Sequence, residues 1–99
     1  MKEVILLLQA DMDIQAAFNR YEEFQEGRGV VFMQHLDAAL TMIRHHPRSA
    51  GWYAEPYRRM LIRDFPYGVF YDEQTARIVV TAVVDLRQDP RAIHRRLFG

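Results

Sequence analysis

Twelve of the thirteen basic side chains are arginine, with Lys2 the exception, and that choice of cation limits the chemistry open to the chain. A guanidinium presents a planar fork of donors that fits phosphate or carboxylate. It keeps its charge at any accessible pH, so it holds anions well and carries protons poorly. Read as a strand, residues 57–64 place Arg59 and Arg63 on one face with Leu61 between them, and Arg58 on the other. Arg87 follows the last strand. Beyond Asp89 the tail carries Arg91, His94, Arg95 and Arg96 with no acidic residue. As a short helix it would turn Ile93 and Leu97 inward and Arg91, His94 and Arg95 outward, a pattern that solvation alone also explains. His45 and His46 stand before Pro47 at a helix end, where cations complement the negative end of the dipole. Adjacent imidazoles point to different faces and no carboxylate follows at ligand spacing, so no metal site is expected. The chain has no cysteine, which excludes disulfides, thiolate catalysis and cysteine-based zinc sites.

The elements that must position these side chains show in the hydrophobic pattern. Glu3 to Leu8 reads as a first strand. From about Ala10 the period changes: Ile14, Ala17, Phe18 and Tyr21 form a helical stripe, with Phe24 one turn on. Asp11 and Asp13 fall in the first turn, where carboxylates suit the positive end of the dipole. Gly27 and Gly29 punctuate the chain, one of them as a left-handed helix stop. A second stripe, Phe32, Leu36, Ala39, Leu40 and Ile43, ends before Pro47. Two amphipathic helices so closely joined should pack as an antiparallel hairpin. Residues 48–56 read as a loop, with Trp52 and Tyr53 tucked onto the core. Strands over 57–64, 67–72 and 77–85 follow with connections too short for parallel crossovers. The expected class is α+β, in the order β-α-α-β-β-β. One antiparallel sheet would carry the helical hairpin on one face, with a short C-terminal helix after it.

Ninety-nine residues, 49% hydrophobic, make one globular domain over residues 1–99 the expectation. The longest apolar run, Val4 to Leu8, is far short of the ~20 residues that cross a bilayer, and no small-residue cleavage site follows it. A soluble, cytoplasmic protein is expected. Residues 1–50 hold five basic and seven acidic side chains and residues 51–99 hold eight and six, so the halves carry −2 and +2. A chain with no net charge is a weak candidate for tight nonspecific binding of nucleic acid.

The wording of the chain resembles the RelE/ParE superfamily of bacterial toxins from type II toxin–antitoxin modules. The resemblance rests on Ala10, Asp13-Ile14, Ala17 and Tyr21-Glu22 in the first helix and on Gly27-Arg28-Gly29 between the helices. It continues in Phe32, Leu36, Ala39, Ile43 and Pro47, then Tyr57-Arg58-Arg59, Phe65-Pro66-Tyr67, Tyr71, Ala82-Val83 and Arg87-Gln88-Asp89-Pro90. Together these items cover nearly the whole chain, and sequences with Phe-Pro-Tyr look closer to the ParE-like, plasmid-stabilisation branch. The resemblance implies a small toxin neutralised by a cognate antitoxin wrapped over it, as a homodimer or a toxin–antitoxin heterotetramer, with no cofactor. One branch of the superfamily cleaves messenger RNA on the ribosome, whereas the ParE-like branch binds and poisons DNA gyrase.

Cleavage of RNA would need a group that exchanges protons near neutral pH beside preorganised cations. Arg63 and Arg87 could supply the charge. Many relatives end the last strand in Ala-Val-x-His, however, and this chain has Asp85 at that position. His94 is then the substitute proton carrier, although an exposed helix residue is its plainer reading. For the gyrase reading, Arg59, Tyr71, Arg91, Arg95 and Arg96 are the candidate target contacts. Trp52, Phe65 and Tyr67 are candidate antitoxin contacts, since aromatics gather in interface cores; core packing is the plainer reading for most of them, as it is for Tyr71. The ParE-like poison is the favoured reading. The alternatives are a ribosome-dependent endonuclease acting through Arg63, Arg87 and His94, and a member that binds its antitoxin but is no longer toxic.

Overall fold

The apolar run at the start of the chain divides in two. In the computed structural model, which describes residues 1–99, β1 spans Glu3–Leu6 and α1 spans Leu8–Phe24. The strand is therefore shorter than the apolar run, because leucine suits a helix as readily as a strand. The Leu7 amide still donates to the Val80 carbonyl at 3.0 Å, and the helix starts one residue later. Ala10, Ile14 and Ala17 are buried, and Phe18 and Tyr21 half-buried, as the stripe predicts. Phe24 is not part of it and stands 79% exposed. The helix ends there and the chain reverses, which leaves the ring nothing to pack against.

Gly27 takes φ 84° in the turn, a left-handed conformation open to glycine at little cost. Gly29 has a different task. It lies inside α2, Arg28–His45, where a Cβ would sit 2.8 Å from the Phe18 carbonyl. Its lack of a side chain sets how closely the two helices approach. Its amide donates to Glu22 Oε1 at 2.9 Å, which ties the start of α2 back to α1. Phe32, Leu36, Ala39 and Ile43 are buried along α2, with Leu40 at their margin.

The remaining elements are β2 Trp52–Ala54, β3 Tyr57–Leu61, β4 Tyr67–Glu73, β5 Arg77–Asp85 and α3 Pro90–Phe98. The sheet order is β1-β5-β4-β3-β2. Pairing is antiparallel from β3 through β5, as expected, and β2 adds antiparallel to β3, but β1 joins the far edge parallel to β5, so the sheet is mixed. The long chain between β1 and β5, which includes the helical hairpin, makes the crossover that parallel pairing needs. β2 lies in the segment read as a loop; its three residues are too few to show a period of two.

Both faces of the sheet are covered. Val69, Tyr71, Ile78, Val80 and Val83 face α1 and α2. Phe70, Ala82 and Val84 face Ile93 and Leu97 of α3. A register shift makes this division: Phe70 pairs with Ala82 and Tyr71 with Val80, leaving Thr81 as an extra residue. Without it, alternation would place Val80 and Val83 on opposite faces. With it, both turn toward the helices, and Asp85, two residues beyond Val83, turns with them.

Candidate functional site

Asp85 ends β5 beneath the C-terminal half of α1, and two arginines meet it there. The Arg87 amide donates to its Oδ1 at 2.8 Å, Arg87 Nε to Oδ1 at 3.1 Å, and Arg87 Nη2 to Oδ2 at 2.8 Å. Arg20 comes from α1, with Nη1 at 3.7 Å from Asp85 Oδ2 and 3.2 Å from the Tyr67 hydroxyl. The hydrogen bonds from Arg87 hold the Asp85 carboxyl below the usual carboxylate range. Burial pushes the Tyr67 and Tyr21 hydroxyls up, away from neutrality. The pair with Asp85 raises Arg87 further still. These groups flank a cleft of about 500 Å³ between α1 and the end of β5, with Ala16, Ala17 and Val83 among its lining. The exposed guanidinium donors of Arg20 and Arg87 at its mouth are of the kind that bind anions. The shifts at Asp85, Tyr21 and Tyr67 run away from the neutral pH at which acid–base groups work best.

The three residues considered for RNA cleavage do not gather here. Arg63 lies exposed in the β3–β4 turn, and His35 Nδ1–H donates to its carbonyl at 2.7 Å. The next residue, Asp64, takes a left-handed φ of 67° in the same turn. His94 is on α3, across the sheet from the helical hairpin, with its ring 4.7 Å from that of Phe98. Arg87 alone of the three lines the cleft.

The candidates for target contact divide by what already holds them. Arg91 hydrogen bonds Asp89 through Nη2 at 3.1 Å and remains 84% exposed. Arg95 is exposed without an ion-pair partner. Arg96 is committed inside the molecule: Nη1 and Nη2 reach Asp13 at 2.9 and 2.7 Å. Asp13 Oδ2 also accepts the Val83 amide at 2.9 Å. The expected place of Asp13 at the dipole of α1 thus gives way to a post capping the edge of β5. Tyr71 is fully buried, and its hydroxyl donates to the Pro47 carbonyl, so the ring offers no surface contact.

Of the aromatics considered for antitoxin contact, Phe65 and Tyr67 also pack inside. They are 7% and 4% exposed, and their rings meet Phe32 edge-on at 5.2 and 5.3 Å. Tyr21 of α1 meets the same two rings, at 4.9 and 6.0 Å. Trp52 is the exception, 54% exposed, with the Arg58 guanidinium 3.9 Å from its ring. Arg58 is fixed by Nη1 donating to the Ala50 carbonyl at 2.8 Å. Trp52, Arg59, Met60 and Leu61 share a second cleft of about 380 Å³ at the β2–β3 edge.

Asp13 and Arg20 were not among the sequence candidates for a site. Their signal was present as Asp13, Ala16, Ala17 and Arg20, spaced i, i+3, i+4, i+7, a second helical face beside the core stripe.

The site and its scaffold define an α+β chain with a helical hairpin on one face of a mixed five-stranded sheet and a short terminal helix on the other. No protein-family model matches the chain, and no curated protein matches it. Among solved structures, it is similar to a chain of the chromosomal ParDE TA system from P. aeruginosa, with a TM-score of 0.76 at 12% identity. The match covers 86% of this chain and 96% of that one, so the likeness is of the whole fold.

Proposed function

We propose that the chain is the toxin of a type II toxin–antitoxin module of the ParE-like kind. It acts by binding DNA gyrase in the cytoplasm and is held inactive by a cognate antitoxin. The fold shared with a ParDE chain supports the module, and the sequence pattern supports the toxin partner within it. The observation that favours binding over RNA cleavage is the state of Asp85. At the position where many relatives carry a histidine, this chain has a carboxylate locked to Arg87 and kept ionised. A general acid or base works best when its pKa lies near the working pH. Asp85 itself is lowered away from it, and the Tyr21 and Tyr67 hydroxyls beside it are raised away from it.

The test is induced expression in a bacterial host without the antitoxin, following growth, DNA supercoiling and total messenger RNA together. Arrest with supercoiling lost and messenger RNA intact is the expected result. Arrest with rapid loss of messenger RNA would replace the poison by the endonuclease. Unchanged growth at good expression would remove both in that host.

A further inference from the structure

The two edges of the sheet are not equally closed. β1 ends at Leu6 opposite Val80, and the bond from the Leu7 amide to the Val80 carbonyl is the last that the N-terminal segment makes along that side. β5 continues to Asp85. The Val83 amide faces the gap and is taken by Asp13 at 2.9 Å. Tyr67, opposite Asp85 on β4, turns its carbonyl the other way, toward the Ile62 amide. The Tyr67–Asp85 pair therefore exchanges no backbone bond, and the Asp85 amide faces the gap together with the Val83 carbonyl. One residue of a parallel neighbour would satisfy both, its N–H donating to the Val83 carbonyl and its carbonyl accepting from the Asp85 amide.

We propose that this edge is a docking site for an extended, acidic segment of a partner chain, added beside the end of β5. The cleft of about 500 Å³ runs along it, and Ala16 on the α1 side leaves room for a backbone. The charges at its mouth select the occupant. Asp13 is balanced by Arg96. Asp85 is shared by Arg20 and Arg87, whose side chains are 63% and 70% exposed, so one positive charge there has no counterpart. Arg87 spends Nε and Nη2 on Asp85 and keeps Nη1 free, and Arg20 engages its protein partners through Nη1 alone. Charged side chains on an edge normally repel stray strands. Here they would turn away a neutral or basic strand and hold one that brings a carboxylate. Main-chain bonds then provide adhesion and the arginines provide selection, the division of labour seen in strand addition generally.

Binding at this edge does not require toxicity, and a chain that leaves growth unchanged would still take the segment. The probe is a capped six-residue peptide alternating valine with glutamate, titrated into the ¹⁵N-labelled chain and followed by amide and arginine Nε shifts. A second peptide has glutamine in place of glutamate. Saturable shifts centred on Val83 to Asp85 and on Arg20 and Arg87 are expected, with the glutamine peptide about tenfold weaker, as loss of a charge-assisted contact implies. Arg87→Gln should remove most of that difference. Ala16→Leu, on an exposed position, should weaken both peptides while leaving the rest of the spectrum in place. No saturable shift at millimolar peptide, shifts centred on the β2 edge, or equal affinity of the two peptides would each overturn the proposal.

Discussion

Replacing the Asp85 carboxylate by an amide keeps its size and removes the charge that Arg87 and Arg20 share. The shift in its pKa fixes the sign of the effect. Hydrogen bonds from Arg87 lower the folded value below the unfolded one of about 3.9. Ionised Asp85 therefore stabilises the fold above the unfolded value, and that stability is lost as pH falls through the folded one. Glu73, lowered by hydrogen bonds from Lys2 and Arg48, and Asp89, lowered by Arg91, act in the same sense. The thermal midpoint should thus fall as pH drops below about 4. Asp85→Asn should show a shallower fall across the same window. Melting curves at a series of pH values for both chains check this. Equal slopes would mean that the pair contributes nothing in solution, as exposed pairs often do.

Between elements, Gly29 brings α2 close against α1. A methyl group there meets the Phe18 carbonyl at 2.8 Å, and a backbone oxygen cannot swing aside as a flexible side chain can. Gly29→Ala should cost about 1–3 kcal/mol, as overpacking does elsewhere, read as a shift in the urea midpoint. Gly27→Ala meets nothing within 4 Å, and its cost comes from φ alone. A second junction is Asp13, which joins α1 to the Val83 amide and to Arg96 of α3. Asp13→Ala leaves both partners without it and should cost about 1–3 kcal/mol. Arg96→Ala should cost less, since Asp13 keeps its backbone bond. Hydrogen exchange at the Val83 amide separates the two: it should quicken in the first variant and hold in the second. The helical stripes were legible because burial against a sheet imposes a period that ten residues suffice to reveal. The junctions were not. Asp13 was read as a helix-dipole residue because its partners lie 70 and 83 positions away. The extra residue at Thr81, which turns Asp85 toward Arg20, leaves no mark in a run of valines. Tyr71, Phe65 and Tyr67 stood as contact candidates beside core packing as the plainer reading, and they are buried. Local spacing alone does not choose between the two roles, because burial depends on a second layer that it does not show.

At the scale of the whole molecule, the sheet is covered on one face by two helices of 17 and 18 residues and on the other by nine residues of α3. Nine residues do not form a stable helix in water by themselves, so α3 depends on its seat. Asp89 caps its start by accepting the Arg91 amide at 2.9 Å, and the Tyr57 hydroxyl donates to the Leu97 carbonyl at 3.2 Å near its end. Between these ties, Ile93 and Leu97 bury themselves against Phe70, Ala82 and Val84. Ile93→Ala should cost about 2–4 kcal/mol. Total stability for a chain of this length is roughly 5–15 kcal/mol, so the local loss is large beside the stability of one short helix. Release of α3 before the rest of the fold is therefore expected. Trypsin offers a direct reading, because Arg91 and Arg95 lie exposed on that helix. In the Ile93→Ala chain, cleavage there should accelerate at temperatures where the near-ultraviolet signal of the Tyr21, Phe32, Phe65 and Tyr67 cluster is still native. If cleavage and that signal change together, α3 belongs to the same cooperative unit as the hairpin, and the Asp13–Arg96 bridge around the sheet edge is the contact that makes it so.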